Sequence, residues 1–186
     1  MRDMGDWDLT PRAASTSEVV LVELMASEDA NIMGTVHGGT VMKLVDTAAG
    51  LAAIRHCGGV AVTASIDEMS FHAPVFVGNL LHVRASINDV GRTSMEVGVR
   101  VEAENIVTGR RVHTSSAYVV MVAIDADGAA RPVPTIVPET DEQRRRQREA
   151  RIRRASRLEH RRTIESSRAA SIHREAGPAA GDGETG

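Results

Sequence analysis

The run from Gly38 to Ile54, GGTVMKLVDTAAGLAAI, is apolar or small on nearly every side when wound as a helix, and it limits the possible folds more than any other stretch of the chain. A helix of that kind has to be covered nearly all round. Asp46 sits in its middle, where an unpaired charge cut off from water would cost several kcal/mol, roughly the effective penalty for one buried ion. The cover therefore needs an opening at Asp46, or a partner for its carboxylate.

What can supply the cover follows from the rest of the chain. Glu18 to Leu24 reads as a strand ahead of the helix, and four segments after it alternate apolar and polar residues with period two. Val60, Val62, Ala64 and Ile66 share one face of the first, and Leu81, Val83, Ala85 and Ile87 one face of the second. Met95, Val97, Val99 and Val101 do so in the third, and Val112, Tyr118, Val120, Val122 and Ile124 in the last. Turn residues separate them at His72-Ala73-Pro74, Gly78-Asn79, Gly91-Arg92 and Thr108-Gly109. The expected class is α+β: one curved antiparallel sheet of about five strands wrapped around one long apolar helix, with a second copy of the chain closing the remainder. Other α+β arrangements share that element order.

The composition, 42% apolar and 25% charged over 186 residues, is enough for one core. Four aromatics, Trp7, Phe71, Phe76 and Tyr118, are too few to stack bases. A single cysteine, Cys57, leaves no intramolecular disulfide and no Cys-rich zinc motif, and it fits a reducing compartment. The N-terminus lacks the apolar run of a signal peptide and no later run is long enough for a membrane helix, so a cytoplasmic protein without a membrane partner is expected.

Charge divides the chain. Residues 1–138 carry 10 basic and 16 acidic side chains, whereas 139–163 carry 10 arginines and 5 acids. The expected organisation is a flexible N-terminus at 1–16, a folded domain at 17–138, a charged helix at 139–165 and a disordered tail at 166–186. In the helix the acids come first and the arginines later, as the helix dipole favours; Pro178 and several glycines mark the tail. Interspersed glutamates and absent aromatics make the arginine-rich helix a solvated or interface element, and nucleic acid is not an expected partner.

Three features bear chemistry: Asn31, the turn His37-Gly38-Gly39, and Asp46. Glycines opening a helix let a ligand approach the backbone, and the free N–H groups of the first turn suit a carbonyl oxygen gaining negative charge. A tight loop-to-helix turn is the plain alternative. For Asp46 the plain alternative is a surface pair with Lys43, against which the apolar neighbours argue. Gly39, Lys43, Asp46, Thr47 and Gly50 form the one small and polar stripe. Gly39 and Asp46 share that face but lie seven positions apart, roughly 10 Å along the axis at 1.5 Å per residue. One small reacting group cannot touch both within a chain. A second copy laying its helix antiparallel across the stripe would bring Asp46 of one chain to Asn31 and Gly39 of the other. The seven histidines show no metal-ligand spacing, and no nucleophile-elbow, Walker or dinucleotide-binding pattern is present.

The motif Asn31-Ile-Met-Gly34-Thr-Val-His37-Gly38-Gly39 with Leu44-Val45-Asp46 resembles the hotdog-fold acyl-CoA thioesterases, especially the cytosolic, brain-type hydrolases and their bacterial relatives. The likeness continues through Asp67 to Gly78, Val90 to Ser94 and Val122 to Gly128, and covers about residues 17 to 138. The resemblance implies a hotdog fold, a dimer assembling as a trimer of dimers, and hydrolysis of acyl-CoA to free acid and CoA. It makes Asp46 the general base or nucleophile and places Asn31 of the partner chain on the water or thioester. His37, Gly38 and Gly39 would bind the substrate, with backbone N–H groups polarising its carbonyl. Loss of water around Asp46 would make it a better base. Gly91, Arg92, Thr93 and Ser94 offer backbone donors and a guanidinium for the phosphates of CoA. No metal or redox cofactor is implied, CoA being part of the substrate. One departure concerns specificity: those hydrolases usually carry Phe where this chain has His37, and His-Gly-Gly is common in the phenylacetyl-CoA thioesterase branch.

Two other functions compete. A hotdog enoyl-CoA hydratase would use an Asp and a His with Asn-Pro between them, whereas here Asp29 to His37 is too long and Ile32 follows Asn31. A regulator that binds acyl-CoA without turnover would need a DNA-binding module, and only 144–162 offers one.

Overall fold

The computed structural model describes residues 7–175. The apolar run forms one helix, α1, Gly38–Cys57, which opens on an N-cap at His37 and closes on Gly58 in the left-handed conformation at φ 68°. Ahead of it stand a short strand β1, Arg12–Ala13, and β2, Val19–Leu24. Behind it come β3, Ala61–Phe71, β4, Asn79–Val90, β5, Ser94–Asn105, and β6, Arg111–Ala123. A short β7, Ile136–Val137, pairs in parallel with β1. The main sheet is antiparallel throughout in the order β2-β4-β5-β6-β3, so β2 and β3 are its edges. α1 touches all five of its strands.

Burial shows how the helix is held. Val41, Val45, Ala48, Ala49, Ala52, Ala53, His56 and Cys57 form one buried stripe at helical spacing. They pack on Leu81, Val83, Ala85 and Ile87 of β4 and Met95, Val97, Val99 and Val101 of β5, the faces the alternation predicts. The small alanines bring the sheet close to the helix axis. The opposite side of α1 is not covered within one chain: Met42, Leu51 and Ile54 are 41–43% exposed, alongside exposed Gly39, Lys43, Asp46 and Thr47. One sheet wraps half the helix and leaves the rest open.

On two strands the faces differ from the predicted ones. In β6 the inward set is Ala117, Val119, Met121 and Ala123, one residue out of step with Tyr118, Val120 and Val122. Both faces of that stretch are apolar, so period two carries no sign there. In β3 the ladder with β6 slips between Thr63 and Ser65 and again between Ile66 and Glu68. Each bulge turns the following side chains over, and Ala61, Ile66 and Met69 pack on the core while Val62 and Ala64 are exposed.

The N-terminal segment, expected to be flexible through residue 16, is structured from Trp7 onward, and residues 1–6 lie outside the described residues. The last carbonyls of a helix have no partners within it. The Arg12 guanidinium donates to the carbonyls of Arg55 at 3.0 Å and His56 at 2.8 Å, and Arg131 donates to that of Cys57 at 3.2 Å. Trp7 lies over the Arg131 guanidinium, 3.0 Å from ring centroid to Cζ. Two distant arginines thus cap α1 and tie the ends of the domain to it.

A second helix, α2, spans Asp141–Glu175. It runs past the predicted end at 165, and the disorder expected from 166 does not begin there: no Gly or Pro interrupts the chain before Gly177, and Ala, Arg and Glu favour helix. Residues 176–186 lie outside the described residues. The chain divides into two compact units, one ending at Gln147 and one beginning at Arg148. Within the first, Arg146 of α2 donates to the Ser86 hydroxyl at 3.1 Å. The second is arginine-rich helix, with Ile152 and Leu158 exposed. Among the described residues no helix is long and apolar enough to cross a membrane.

Candidate active site

Asn31 stands at the base of a small loop closed by a bridge between Ala30 and Val36. Its side-chain oxygen accepts the N–H of Met33 at 2.8 Å and of Thr35 at 3.3 Å, and its amide nitrogen donates to the Thr35 hydroxyl at 2.9 Å. This is an Asx-type turn that the short amide side chain makes locally. Gly34 completes it at φ 76°, a conformation glycine adopts at no steric cost. The tip residues Ile32 and Met33 point into solvent.

The loop delivers the chain straight into α1. His37 N–H donates to the Asp29 carbonyl at 2.8 Å, and the His37 ring caps the helix: its Nδ1 accepts the N–H of Gly39 at 3.0 Å. The Gly38 N–H has no partner among the described residues. A Cβ on Gly38 would lie 3.5 Å from the Phe71 ring, at the end of β3. Here a cleft of about 340 Å³ opens, walled chiefly by Val36, Gly38, Val41, Phe71, Pro74 and Val75. Asn31, His37, Gly38 and Gly39 are therefore brought together at one end of α1.

Asp46 lies two turns further along and is exposed within the single chain. The burial expected of it is absent there, because the sheet covers the other side of α1. Its hydrogen bond is not with Lys43. Asp46 Oδ1 accepts the Thr63 hydroxyl at 2.5 Å, and the same hydroxyl lies 3.4 Å from Met121 Sδ. Thr63 is a site residue that sequence reasoning missed. In a β-branched run a threonine reads as strand propensity, and only the first β3 bulge, just beyond it, and the packing on α1 give it a role.

The turn Gly91-Arg92-Thr93-Ser94 is a tight connection between β4 and β5, closed by Gly91 N–H on the Ser94 carbonyl at 2.7 Å. Ser94 pairs with Val122, beside the start of β3, whereas Phe71 at the far end of β3 borders Gly38. The turn therefore belongs to the C-terminal end of α1, a helix of 20 residues and so roughly 30 Å long. One chain does not bring it to His37-Gly38-Gly39.

Comparison with known proteins places this architecture. A sequence model of the thioesterase superfamily matches residues 33–109. Protein VdlD of Helicobacter pylori is 39% identical over 140 residues, 75% of this chain and 80% of that one. The acyl-CoA thioester hydrolase YkhA of Bacillus subtilis, itself described as uncharacterized, is 36% identical over 132 residues, 71% and 77% of the two chains. The human cytosolic acyl coenzyme A thioester hydrolase is 36% identical over 138 residues, 73% of this chain but 36% of that longer one. A hexameric acyl-CoA thioesterase superposes with a TM-score of 0.79 at 36% identity, over 81% of this chain and 97% of that one. The acyl-CoA hydrolase of Staphylococcus aureus, solved with butyryl coenzyme A and coenzyme A, gives 0.75 at 28% identity over 89% and 99%. It has also been solved with an Asn, an Asp or a Thr replaced by Ala, the Asn lying 15 positions before the Asp and the Thr 17 after it. Asn31, Asp46 and Thr63 have the same two spacings. With its sheet, its helix and these relatives, the chain belongs to the hotdog-fold acyl-CoA thioesterases of the thioesterase superfamily.

Proposed function

We propose that the protein hydrolyses the thioester of acyl-CoA to a free carboxylic acid and CoA, at a site shared between two copies. The observation that carries this is the open stripe of α1, on which Gly39 and Asp46 stand seven positions apart with Asp46 tied to Thr63. A helix crossing antiparallel near residues 42 and 43 sets Asp46 of one copy opposite Gly39 and Asn31 of the other. The edge strand β3, with Val62 and Phe71 exposed and Val60 exposed just before it, is the continuation of that interface. Hexameric relatives support assembly as a trimer of such dimers.

In this site Thr63 holds one oxygen of the Asp46 carboxylate and leaves the other for water. Asp46 removes a proton as the water oxygen attacks the thioester carbon. Asn31 of the other copy orients the water or the thioester, and the Gly38 N–H stabilises the oxyanion, the Gly39 N–H expected there being taken by the His37 ring. Collapse breaks the carbon–sulfur bond, and the departing thiolate takes up a proton. The apolar cleft beside Gly38 receives the acyl group. From Thr47, which faces the other copy's Gly38, to Cys57 is ten residues, roughly 15 Å. The pantetheine arm spans that distance to reach the turn Gly91 to Ser94, where Arg92 meets phosphate. The reaction needs water and these side chains, with no metal or redox cofactor. The human relative's cytosolic name supports a cytoplasmic location.

The test is thiol release from short, long and aromatic acyl-CoAs by the full chain and by Asp46→Asn. Turnover that Asp46→Asn abolishes supports the reading. Binding of acyl-CoA without any release of thiol marks a regulator, and addition of water to an enoyl-CoA marks a hydratase. Normal turnover by a folded Asp46→Asn protein removes Asp46 from the mechanism.

A further inference from the structure

From Leu158 to Arg168 every residue of α2 is exposed, so that stretch of helix has no covered face. A helix that is polar all round needs many opposite-charge pairs three and four residues apart to hold it, or something to bridge to. Within 144–162 pairs of like sign outnumber the opposite ones, with ten arginines against two acids, Glu149 and Glu159. Arg144 and Arg148, Arg153 and Arg157, and Arg157 and Arg161 stand four apart, and Arg148, Arg151, Arg154 and Arg157 follow one another three apart. At these spacings like charges destabilise a helix. Burial and then the Arg161 charge push the Arg157 pKa down. The complement of such a helix is a polyanion, whose charges would relieve the repulsion.

Which polyanion it fits follows from where the charges point. Arg148, Arg161, Arg162 and Arg168 are exposed and make no hydrogen bond or ion pair among the described residues. At about 100° per residue, Arg148 and Arg162 lie within about 40° of each other and Arg161 and Arg168 within about 20°, the two pairs about 130° apart. A flat anionic surface meets only one of those sides. Ile152, Leu158 and Ile164 are each turned about 240° from the last, so they form no apolar face to lie in a lipid interface. α2 holds no Trp, Tyr or Phe to stack on unpaired bases or to anchor in a protein pocket. The major groove of duplex DNA presents phosphates on two sides: about 12 Å wide, it admits a helix of about 10–12 Å between its two backbones. That of duplex RNA is too deep and narrow for side chains. Guanidinium groups grip phosphate through two parallel hydrogen bonds. We propose that α2 docks duplex DNA through its phosphates, without regard to sequence, by laying the stretch from Arg148 to Arg168 in the major groove. The features of composition that spoke against nucleic acid weigh less on the helix itself, where two glutamates face ten arginines and missing aromatics exclude only stacking on single strands. This inference does not rest on the thioesterase reading.

The test is fluorescence anisotropy of a labelled duplex of about 20 base pairs, twice the length that roughly 30 Å of helix covers, titrated with the full chain. Four phosphate contacts give a slope of about −3.6 in log K against log salt, so binding should weaken at least about 10²-fold between about 50 and 200 mM salt. Replacing Arg148, Arg161, Arg162 and Arg168 together by Gln, which keeps helix propensity, should flatten the slope by about 3.6 and leave far-UV circular dichroism unchanged. A duplex of unrelated sequence should compete equally. Single-stranded DNA, duplex RNA and vesicles of phosphatidylserine and phosphatidylcholine should compete about tenfold less well or worse. No binding at the lower salt, a flat salt dependence, an unchanged slope in the folded variant, or equal competition by single strands, RNA or vesicles overturns the proposal. Should the quadruple variant lose its helix, the salt slope and the competitors decide on the wild type alone. If the substitutions split the assembly in native mass spectra while the wild type ignores DNA, the arginines meet the acidic surface of another copy instead, and the proposal falls.

Discussion

Mixing two inactive variants tests the shared site directly. Asp46→Asn removes the proposed base, and Asn31→Ala removes the amide whose oxygen accepts Met33 and Thr35 N–H groups in its own loop. Within one chain Asp46 stands roughly 10 Å along the helix from Gly39, and on the shared-site reading each site draws its base from one copy and its helix N-terminus and Asn31 from the other. A hybrid dimer then holds one site with both defects and one with neither. After full exchange of equal amounts, half the dimers of a two-fold pair are hybrids with one intact site of two, so about a quarter of wild-type activity returns. A site built within one chain returns nothing, because every site keeps one defect. The assay is thiol release before and after exchange, with differently tagged chains separated by native mass spectrometry to count hybrids. Hybrids present at the expected fraction with activity still at the level of the parents would refute the two-copy geometry.

Other outcomes follow from single contacts. Thr63→Ala removes the hydroxyl bound to Asp46 and should lower kcat about 10- to 100-fold, the range for a hydrogen bond to a charged group; Thr63→Ser should keep most of it, and an alanine variant at wild-type rate would detach Thr63 from the base. Arg12→Met keeps the aliphatic stem but leaves the Arg55 and His56 carbonyls without their donors. A loss of roughly 1–3 kcal/mol in urea unfolding is expected, and no change would mean that water replaces the guanidinium fully. His56 is buried, with its Nε2 on the Pro134 carbonyl, and burial pushes its pKa below the ordinary value, with Arg12 nearby adding to the effect. The unfolded chain therefore takes up this proton first. Stability is whole above the unfolded value of 6.5 and declines as pH falls below it, by at most about 1.4 kcal/mol per pH unit from this group. His56→Gln should flatten that slope in denaturation curves taken from pH 7 to 5.

Much of the fold was open to the eye in the sequence because most of its patterns are local. The helix Gly38–Cys57 and the inward sets of β4 and β5 follow from period and turn residues alone. β6 did not, since an apolar strand with two apolar faces has no directional signal. Nor did β3, whose two bulges are invisible to strict alternation. The ordered N-terminal segment rests on Arg12 reaching Arg55 and His56 across more than 40 residues, a pairing no window contains. In the site, Asn31, His37, Gly38 and Gly39 were readable because they are contiguous with a helix start. Asp46 stood out as a charge among apolar residues. Its burial was read too far, because a helix that is apolar all round says how much must be covered and not by which chain. Thr63 depended on tertiary packing.

Thr63 stands on an edge strand of the sheet, one hydrogen bond from Asp46. On the shared-site reading, the surface that a second chain would join and the residue that would activate water are thus mechanically adjacent. Dilution becomes a kinetic variable for such a protein. Its activity per chain should fall as copies separate, well before any chain unfolds, and rise again on concentration with the delay of reassembly.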